Sequence, residues 1–413
     1  MDEIPGLVQL TRLPNSARAD LLAGSPDVDP LLAVTTLRRE RPDLSPELAS
    51  AVVAQRGYQA KARATGALPE GGPWLTTEVG LEQASRPEVA AHRAATLAAA
   101  GVRSVVDASA GIGIDARGFL EAGLAVVAIE RDPVTFEVCR ANLGHAVELF
   151  GTEARVENAD STQVGVITAA VDSLPSPVAV FIDPARRGTH RPVDGSRSRS
   201  ERDRQLWSPP WSFVDELRRQ FEWVAVKAPP GFAPDAPWKA EWVAVGNSVV
   251  ECALYSPHAS RREARGAIIL GDDVEWHLNF DIDAQRPVPS GLRDFLAEVH
   301  PVARRTGAIA EICLNAPDLA PVTESSMWLT ADSPAPTSPA LRWFEVLGSG
   351  SLDQLTAMCR DQGIDRVALK TLESKRSQRE MRARIGLPDG DEFAIVAIDG
   401  FIDHILVRRM RQR

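Results

Sequence analysis

Residues Ser104-Val105-Val106-Asp107-Ala108-Ser109-Ala110-Gly111-Ile112-Gly113-Ile114-Asp115 join a short apolar run to a carboxylate and two closely spaced glycines. The apolar run predicts a strand, and a helix is expected to begin near Asp115. Between them, Gly111 and Gly113 can take backbone angles closed to residues with a Cβ, which lets the main chain approach a ligand closely. That arrangement suits a nucleotide-type cofactor. Gly111, Gly113 and Ala116 also meet the G-x-G-x-x-G/A spacing of a dinucleotide site, with the acidic Glu130 about 20 residues on.

Two further acids follow in order. Ala125-Val126-Val127-Ala128-Ile129 is an apolar run ending in Glu130-Arg131-Asp132-Pro133 and predicts a buried parallel strand. Glu130 is then placed to accept from both hydroxyls of a ribose, while Asp132 suits the cap of the helix after Pro133. Ala154 to Asp160 predicts a third strand, and Asp160 fits either an adenine-facing carboxylate or an ordinary helix cap. Asp107 separates the cofactor readings. A pyrophosphate beside it would meet like charge, whereas S-adenosylmethionine has no phosphate and carries an ammonium and a sulfonium. The donor set expected is Asp107, Ala108, Gly111, Gly113, Asp115, Glu130 and Asp160.

A fourth strand, Pro177 to Ile182, runs into Asp183-Pro184-Ala185-Arg186-Arg187. The ordered set Asp107 to Asp115, Glu130, Asp160 and Asp183-Pro184 resembles class I S-adenosylmethionine-dependent methyltransferases over roughly residues 76 to 260, where the strand-four tetrapeptide contacts the acceptor. Gly80 to His92 is similar to the segment before the first strand in trimethylguanosine synthases. The resemblance implies a Rossmann-like α/β fold, S-adenosylmethionine as cofactor, and Asp183, Pro184 and Arg186 at the acceptor. The chain departs from the amino-nitrogen pattern at Ala185 and Arg186, where that pattern has proline and a stacking aromatic ring. Arg186 is similar to the arginine of uracil-C5 enzymes, but no cysteine follows the fourth strand as that covalent chemistry requires.

Methyl transfer from a sulfonium is an in-line displacement, so placement and exclusion of water carry most of the work. Asp183 is expected to orient the acceptor or take its proton. Pro184 stiffens the loop, and Arg186, Arg187 and Arg191 are suited to a phosphate or another anion. Residues 186–204 form a basic segment without apolar periodicity, which fits a polyanionic substrate and points to a base of structured RNA. Further basic islands occur at Lys370–Arg384 and at Arg408–Arg413. Trp223 to Gly231 predicts a fifth strand, in which Lys227 fits either a place lining the substrate cleft or, better, a snorkelling strand-end lysine. The β-rich runs Trp242–Tyr255 and Gly266–Leu270 fit a closing antiparallel hairpin.

The flanks predict separate pieces. Residues 1–75 carry Asp/Ser-Pro helix starts at Pro30 and Pro46 and predict a helical region. The class I domain is expected over 76–330, a Pro-rich linker over 331–340, and a small α/β domain over 341–413. That last segment resembles the THUMP-like domain of some bacterial methyltransferases, which implies RNA delivery. Its elements are expected at Leu341–Leu347, Asp353–Asp361, Arg366–Leu369, Ser374–Ile385, Glu392–Ile398 and Ile402–Arg408. With 413 residues, 44% hydrophobic and 25% charged, the chain can bury full cores. A net charge of −10 argues against a wholly basic nucleic-acid binder and leaves only local basic patches for that role. Neither a run of about 18 apolar residues nor a charged-then-apolar leader occurs, so no membrane span or signal peptide is expected. The cysteines Cys139, Cys252, Cys313 and Cys359 are widely spaced and the seven histidines are not paired at ligand spacing, so a cytoplasmic protein without a metal is expected.

Overall fold

The computed structural model describes residues 3–24, 29–185, 204–235, 237–258, 265–271, 275–281, 283–285, 287–335, 338–371, 374–401 and 403–410. The expected substrate residues Arg186, Arg187 and Arg191, and most of the basic segment containing them, lie outside the described residues. Two compact units are present. One comprises Met1–Ala240 with Cys252–Arg261, and the other Glu241–Glu251 with Arg262–Arg413.

In the first unit, helices α1 (Glu3–Thr11), α2 (Asn15–Leu22), α3 (Pro30–Glu40) and α4 (Pro46–Thr65) precede α5 (Glu78–Gln83) and α6 (Pro87–Ala100). Their starts follow from local chemistry. The Asp29 carboxylate accepts from Leu31 N and Leu32 N, and the Ser45 hydroxyl from Leu48 N, each ahead of a proline whose fixed φ suits the first helical turn. Gly66 ends α4 at φ 65°, a left-handed cap that glycine adopts without strain. Leu10, Val52 and Leu75 lie in one apolar cluster with Val105, Phe119 and Phe181, so the helical region shares the core of the sheet that follows. Each such leucine, fully buried, contributes about 1.5–3 kcal/mol.

That sheet alternates with helices: β1 (Ser104–Asp107), α7 (Ile114–Glu121), β2 (Ala125–Ile129), α8 (Pro133–Phe150), β3 (Ala154–Glu157), α9 (Val164–Asp172), β4 (Val178–Ile182), α10 (Trp211–Gln220) and β5 (Val224–Ala228). β3, β2, β1, β4 and β5 lie side by side in that order, all parallel. Strands β1, β2, β4 and β5 are mostly apolar and buried, as strands covered on both faces are, whereas the edge strand β3 carries Arg155 exposed and Glu157 half-exposed. The order reverses between β1 and β4, and right-handed crossovers leave a crevice beyond their carboxyl ends. The site is expected there. After β6 (Lys239–Val245), the C-terminal half of β7 (Ser248–Tyr255) closes the first unit antiparallel to β5, with Ala225 opposite Tyr255 and Ala228 opposite Cys252.

The second unit contains the antiparallel pair β8 (Arg265–Leu270) and β9 (Glu275–Asn279). Beyond it come β10 (Phe295–Val299), α11 (Pro301–Thr306), α12 (Ile309–Leu314), β11 (Ala320–Pro321), β12 (Trp328–Ala331), β13 (Leu341–Gly350), α13 (Leu352–Asp361), β14 (Ala368–Lys370), α14 (Lys375–Ile385), β15 (Phe393–Ala397) and β16 (His404–Arg409). These strands form one sheet in the order β11-β12-β10-β13-β16-β15-β14. The four-part division expected from the sequence is corrected here. β10 pairs with β12 on one side and β13 on the other, so the Pro-rich stretch 331–340 joins two strands of a single sheet and does not separate domains. Proline-rich composition marks a turn as readily as a linker, and strand pairing decides which. The basic island on α14 is also reduced: Arg382 pairs with Asp389, Arg384 with Asp353 and Arg376 with Glu380.

Two glycines test the helix packing around the parallel sheet. A Cβ on Gly118 of α7 would lie 2.9 Å from the backbone carbon of Ala90 on α6, whereas one on Gly144, exposed in α8, would meet nothing within 4 Å. Gly118→Ala is expected to destabilise the fold by about 1–3 kcal/mol through overpacking. Gly144→Ala is expected to stabilise it by roughly 0.5–1 kcal/mol. Denaturant unfolding of the two variants against wild type checks both signs.

Candidate active site

At the carboxyl end of β1, Asp107 has no exposed surface. Its Oδ1 accepts from Ser109 N at 3.1 Å, while its Oδ2 has no hydrogen-bond partner among the described residues. Burial, together with the nearby Asp115 and Asp183 carboxylates, pushes its carboxyl well above the usual carboxylate range. The glycine turn follows directly. Ala110 N donates to Ile129 O and Gly113 N to Ala110 O, with Gly111 at φ 53° and Gly113 at φ 88°. Space beside Gly111 is open, but a Cβ on Gly113 would press on Cys139 and Leu143 at 3.2 Å. The Cys139 thiol is itself pushed up by burial, which leaves it protonated as a packing group.

Glu130, one residue past β2, holds the turn from the side. Its Oε2 accepts from Gly111 N at 2.9 Å and its Oε1 from Asp132 N at 2.8 Å, while burial raises its carboxyl above the usual range. Asp132 takes the role of helix cap, accepting from Thr135 N at the start of α8. Asp160 Oδ1 accepts from Thr162 N and Thr162 Oγ1, bonds that lower its carboxyl, so the residue caps the turn before α9. The neighbouring Ser161 hydroxyl donates to the Ala108 carbonyl at 2.6 Å, which ties the turn after β3 to the turn after β1. Asn142 of α8 braces the glycine turn from behind, donating to Ile112 O and Leu75 O and accepting from Leu75 N. Asp115 differs from expectation: Arg93 pairs with its Oδ1 and Ser85 donates to its Oδ2. Both oxygens are thus taken inside the protein, so Asp115 supports the turn from its helix side.

The fourth-strand loop meets this constellation. Asp183 N donates to Ser109 Oγ at 2.6 Å, and Asp183 Oδ2 accepts from Lys227 Nζ of β5 at 2.6 Å. Asp107, Gly111, Glu130 and Asp183 therefore belong to one connected network at the switch point. Pro184 is buried, and Ala185 forms an isolated antiparallel bridge with Ser208. Across that bridge lie the rings that the tetrapeptide lacks. Trp207, Trp211, Phe232 and Trp238 pack on one another with centroids 4.9–6.2 Å apart, and Arg204 lies over Trp211 and Phe232. All four rings are buried, so they brace the loop as core.

Several contributors were not foreseen: Ser85, Arg93, Ser109, Asn142 and Ser161. Lys227 was open to sequence reasoning as a cleft residue, because a lone cation inside the otherwise apolar Val224–Ala228 run must find a partner once buried.

The first unit carries a Rossmann-like doubly wound parallel sheet preceded by helices, and the second unit is a separate α/β part. No family model matches the chain. Over 98% of both chains, the fold matches that of a protein from Porphyromonas gingivalis W83 whose name marks it as a candidate methyltransferase, with a TM-score of 0.71 and 18% identity. In sequence, the chain is 34% identical over 118 residues to two proteins of Mycobacterium tuberculosis, strains CDC 1551 / Oshkosh and ATCC 25618 / H37Rv, both described as uncharacterized S-adenosylmethionine-dependent methyltransferases. That match spans 29% of this chain and 28% of each relative.

Ser109 joins the two loops, so Ser109→Ala is expected to cost about 1–3 kcal/mol by leaving Asp183 N without its acceptor. Unfolding measurements, with hydrogen exchange at the Asp183 amide, check the loss and its location.

Proposed function

We propose that the chain is an S-adenosylmethionine-dependent methyltransferase acting on a base of structured RNA. The observation that carries the cofactor half is the buried Asp107 Oδ2 without a partner, beside a glycine turn whose left-handed Gly111 leaves open space. An orphaned buried carboxylate oxygen is costly, and a cationic ligand offsets that cost. The donor set fits this cofactor better than a dinucleotide, whose pyrophosphate would be repelled by Asp107.

In this reading Asp107 meets the positive end of the cofactor and Gly111 gives it close access to the backbone. Glu130 retains lone pairs for ribose hydroxyls, and Asp160 has its second oxygen for the adenine side. S-adenosylmethionine, when bound, supplies an electrophilic methyl on a sulfonium sulfur. Asp183 orients the acceptor and takes its proton, while buried Pro184 keeps the loop stiff. The RNA half is supported by the sequence: Arg186, Arg187 and Arg191 follow directly after the acceptor loop and are suited to phosphates. The THUMP-like resemblance of residues 341–413 favours the same acceptor. No helix among the described residues is long and apolar enough to cross a membrane.

Calorimetric titration with S-adenosylhomocysteine is expected to give saturable binding that weakens roughly 10-fold or more in Asp107→Ala and Gly111→Val, the scale of a lost charge-assisted bond or a strained turn. Absence of binding to folded wild type would sink the reading. A pH effect follows from Asp107. Its folded-state value is raised, so the protonated form stabilises the fold at low pH and that contribution is lost as pH rises through the raised value. A cation favours the carboxylate, so cofactor affinity is expected to increase with pH across that window, and Asp107→Asn flattens the trend. For the acceptor, labelled methyl groups are expected in ribonuclease-sensitive material, with transfer weakening steeply as salt rises. Label recovered in protein or small molecules instead would overturn the RNA assignment.

A further inference from the structure

Lys227 Nζ donates to Asp183 Oδ2 at 2.6 Å and to Ser85 Oγ at 2.9 Å, and the Ser85 hydroxyl donates in turn to Asp115 Oδ2 at 2.6 Å. Arg93 closes the series by pairing with Asp115 Oδ1 while its guanidinium lies 4.7 Å over the Phe181 ring of β4. Donor and acceptor roles are fixed throughout. Lysine and arginine only donate, carboxylates only accept, and Ser85 must accept from Lys227 to donate to Asp115. The Lys227 side chain is 9% exposed and that of Asp183 22%. A lysine buried to that degree is held in place by its partners and does not reach out to solvent, which corrects the snorkelling expectation. Asp183 Oδ1 has no partner among the described residues, so one oxygen is spent on Lys227 and one is left.

We propose that Lys227 is the positioning residue for Asp183: its buried ammonium acts as the fixed counter-ion that turns Oδ2 inward and reserves Oδ1 for the acceptor. This rests on the methyltransferase reading. The role is not interchangeable with general charge balance. Asp107, Asp115 and Asp183 are three neighbouring carboxylates, and Arg93 is already committed to Asp115, leaving Lys227 as the cation in direct contact with Asp183. Ser85 sets the lysine's height in the site, so a segment ahead of α6 reaches the acceptor carboxylate through one hydroxyl and one ammonium. In the transfer itself the acceptor lone pair forms the new bond to the methyl carbon, the carbon–sulfur bond breaks with its electrons going to sulfur, and the acceptor proton leaves toward Oδ1. Lys227 takes no part in the proton transfer: by holding Oδ2 it keeps Oδ1 in line to receive the proton.

The test uses full-length wild type, Lys227→Met, Lys227→Arg and Ser85→Ala. Carbon-13 NMR of labelled aspartate carboxyls at one fixed pH, with the Asp183 signal assigned by its loss in Asp183→Asn, reads the pairing without any acceptor. Breaking the contact is expected to displace the Asp183 carboxyl resonance in Lys227→Met, with Lys227→Arg restoring most of its position. S-adenosylhomocysteine binding is expected to stay within a few-fold of wild type in Lys227→Met, while methylation of total RNA falls in kcat with the KM for S-adenosylmethionine little changed. An unmoved Asp183 carboxyl resonance, or wild-type turnover in Lys227→Met, overturns the assignment while leaving the methyltransferase reading intact. Failure of folded wild type to bind S-adenosylhomocysteine overturns that reading, and the assignment with it.

Discussion

A carboxylate with no exposure at the end of β1 is the constraint to which the rest of the site answers. Asp107 is sealed inside the first unit with one oxygen satisfied by Ser109 N and the other by nothing among the described residues. Two more carboxylates, Asp115 and Asp183, lie close enough to raise its proton affinity. Such a concentration of buried negative charge is tolerable only with fixed cations nearby, and Arg93 and Lys227 supply them by direct pairing with Asp115 and Asp183. Of the three carboxylates, Asp107 is the one with no cation in direct contact among the described residues.

Rigidity is the second consequence. Glu130 grips Gly111, Ser161 grips Ala108, Ser109 grips Asp183, and Asn142 grips Ile112 and Leu75. Every one of these bonds joins a loop to another loop or to a helix, so the ends of β1, β2, β3 and β4 cannot shift independently. A displacement reaction gains most from such fixed geometry, because the nucleophile and the leaving group must stay collinear.

Much of the architecture was legible in the sequence. Strands β1, β2, β4 and β5 are buried and therefore appear as Val/Ile/Ala-rich runs, interrupted in β5 by Lys227. The elements from β13 to β16 fell close to their expected places, because strand and helix periods alternate cleanly there. The long-range pairing was not legible. Lys227 finds Ser85 142 residues away and Asp183 44 residues away, distances over which local pattern carries no information. The same limit explains the stretch 331–340, whose composition describes a turn correctly but says nothing of β10, the strand that both its neighbours join. Asp115 sat at the expected helix start, yet its side chain was claimed by Arg93 on a helix that reads as an ordinary alanine-rich stretch.

The division of the chain passes through β6 and β7, so each unit is discontinuous: Glu241–Glu251 belongs to the second and Cys252–Arg261 returns to the first. During synthesis the parallel sheet lacks its antiparallel neighbour for β5 until Cys252–Tyr255 emerge. By then a piece of the second unit has already been made and must wait for strands still untranslated. No single cut in the chain liberates either unit whole. Proteolysis between the units, or exchange of one of them by recombination, would therefore need three crossings to leave a complete unit behind. The chain is in this respect inherited as one piece, despite its two compact units.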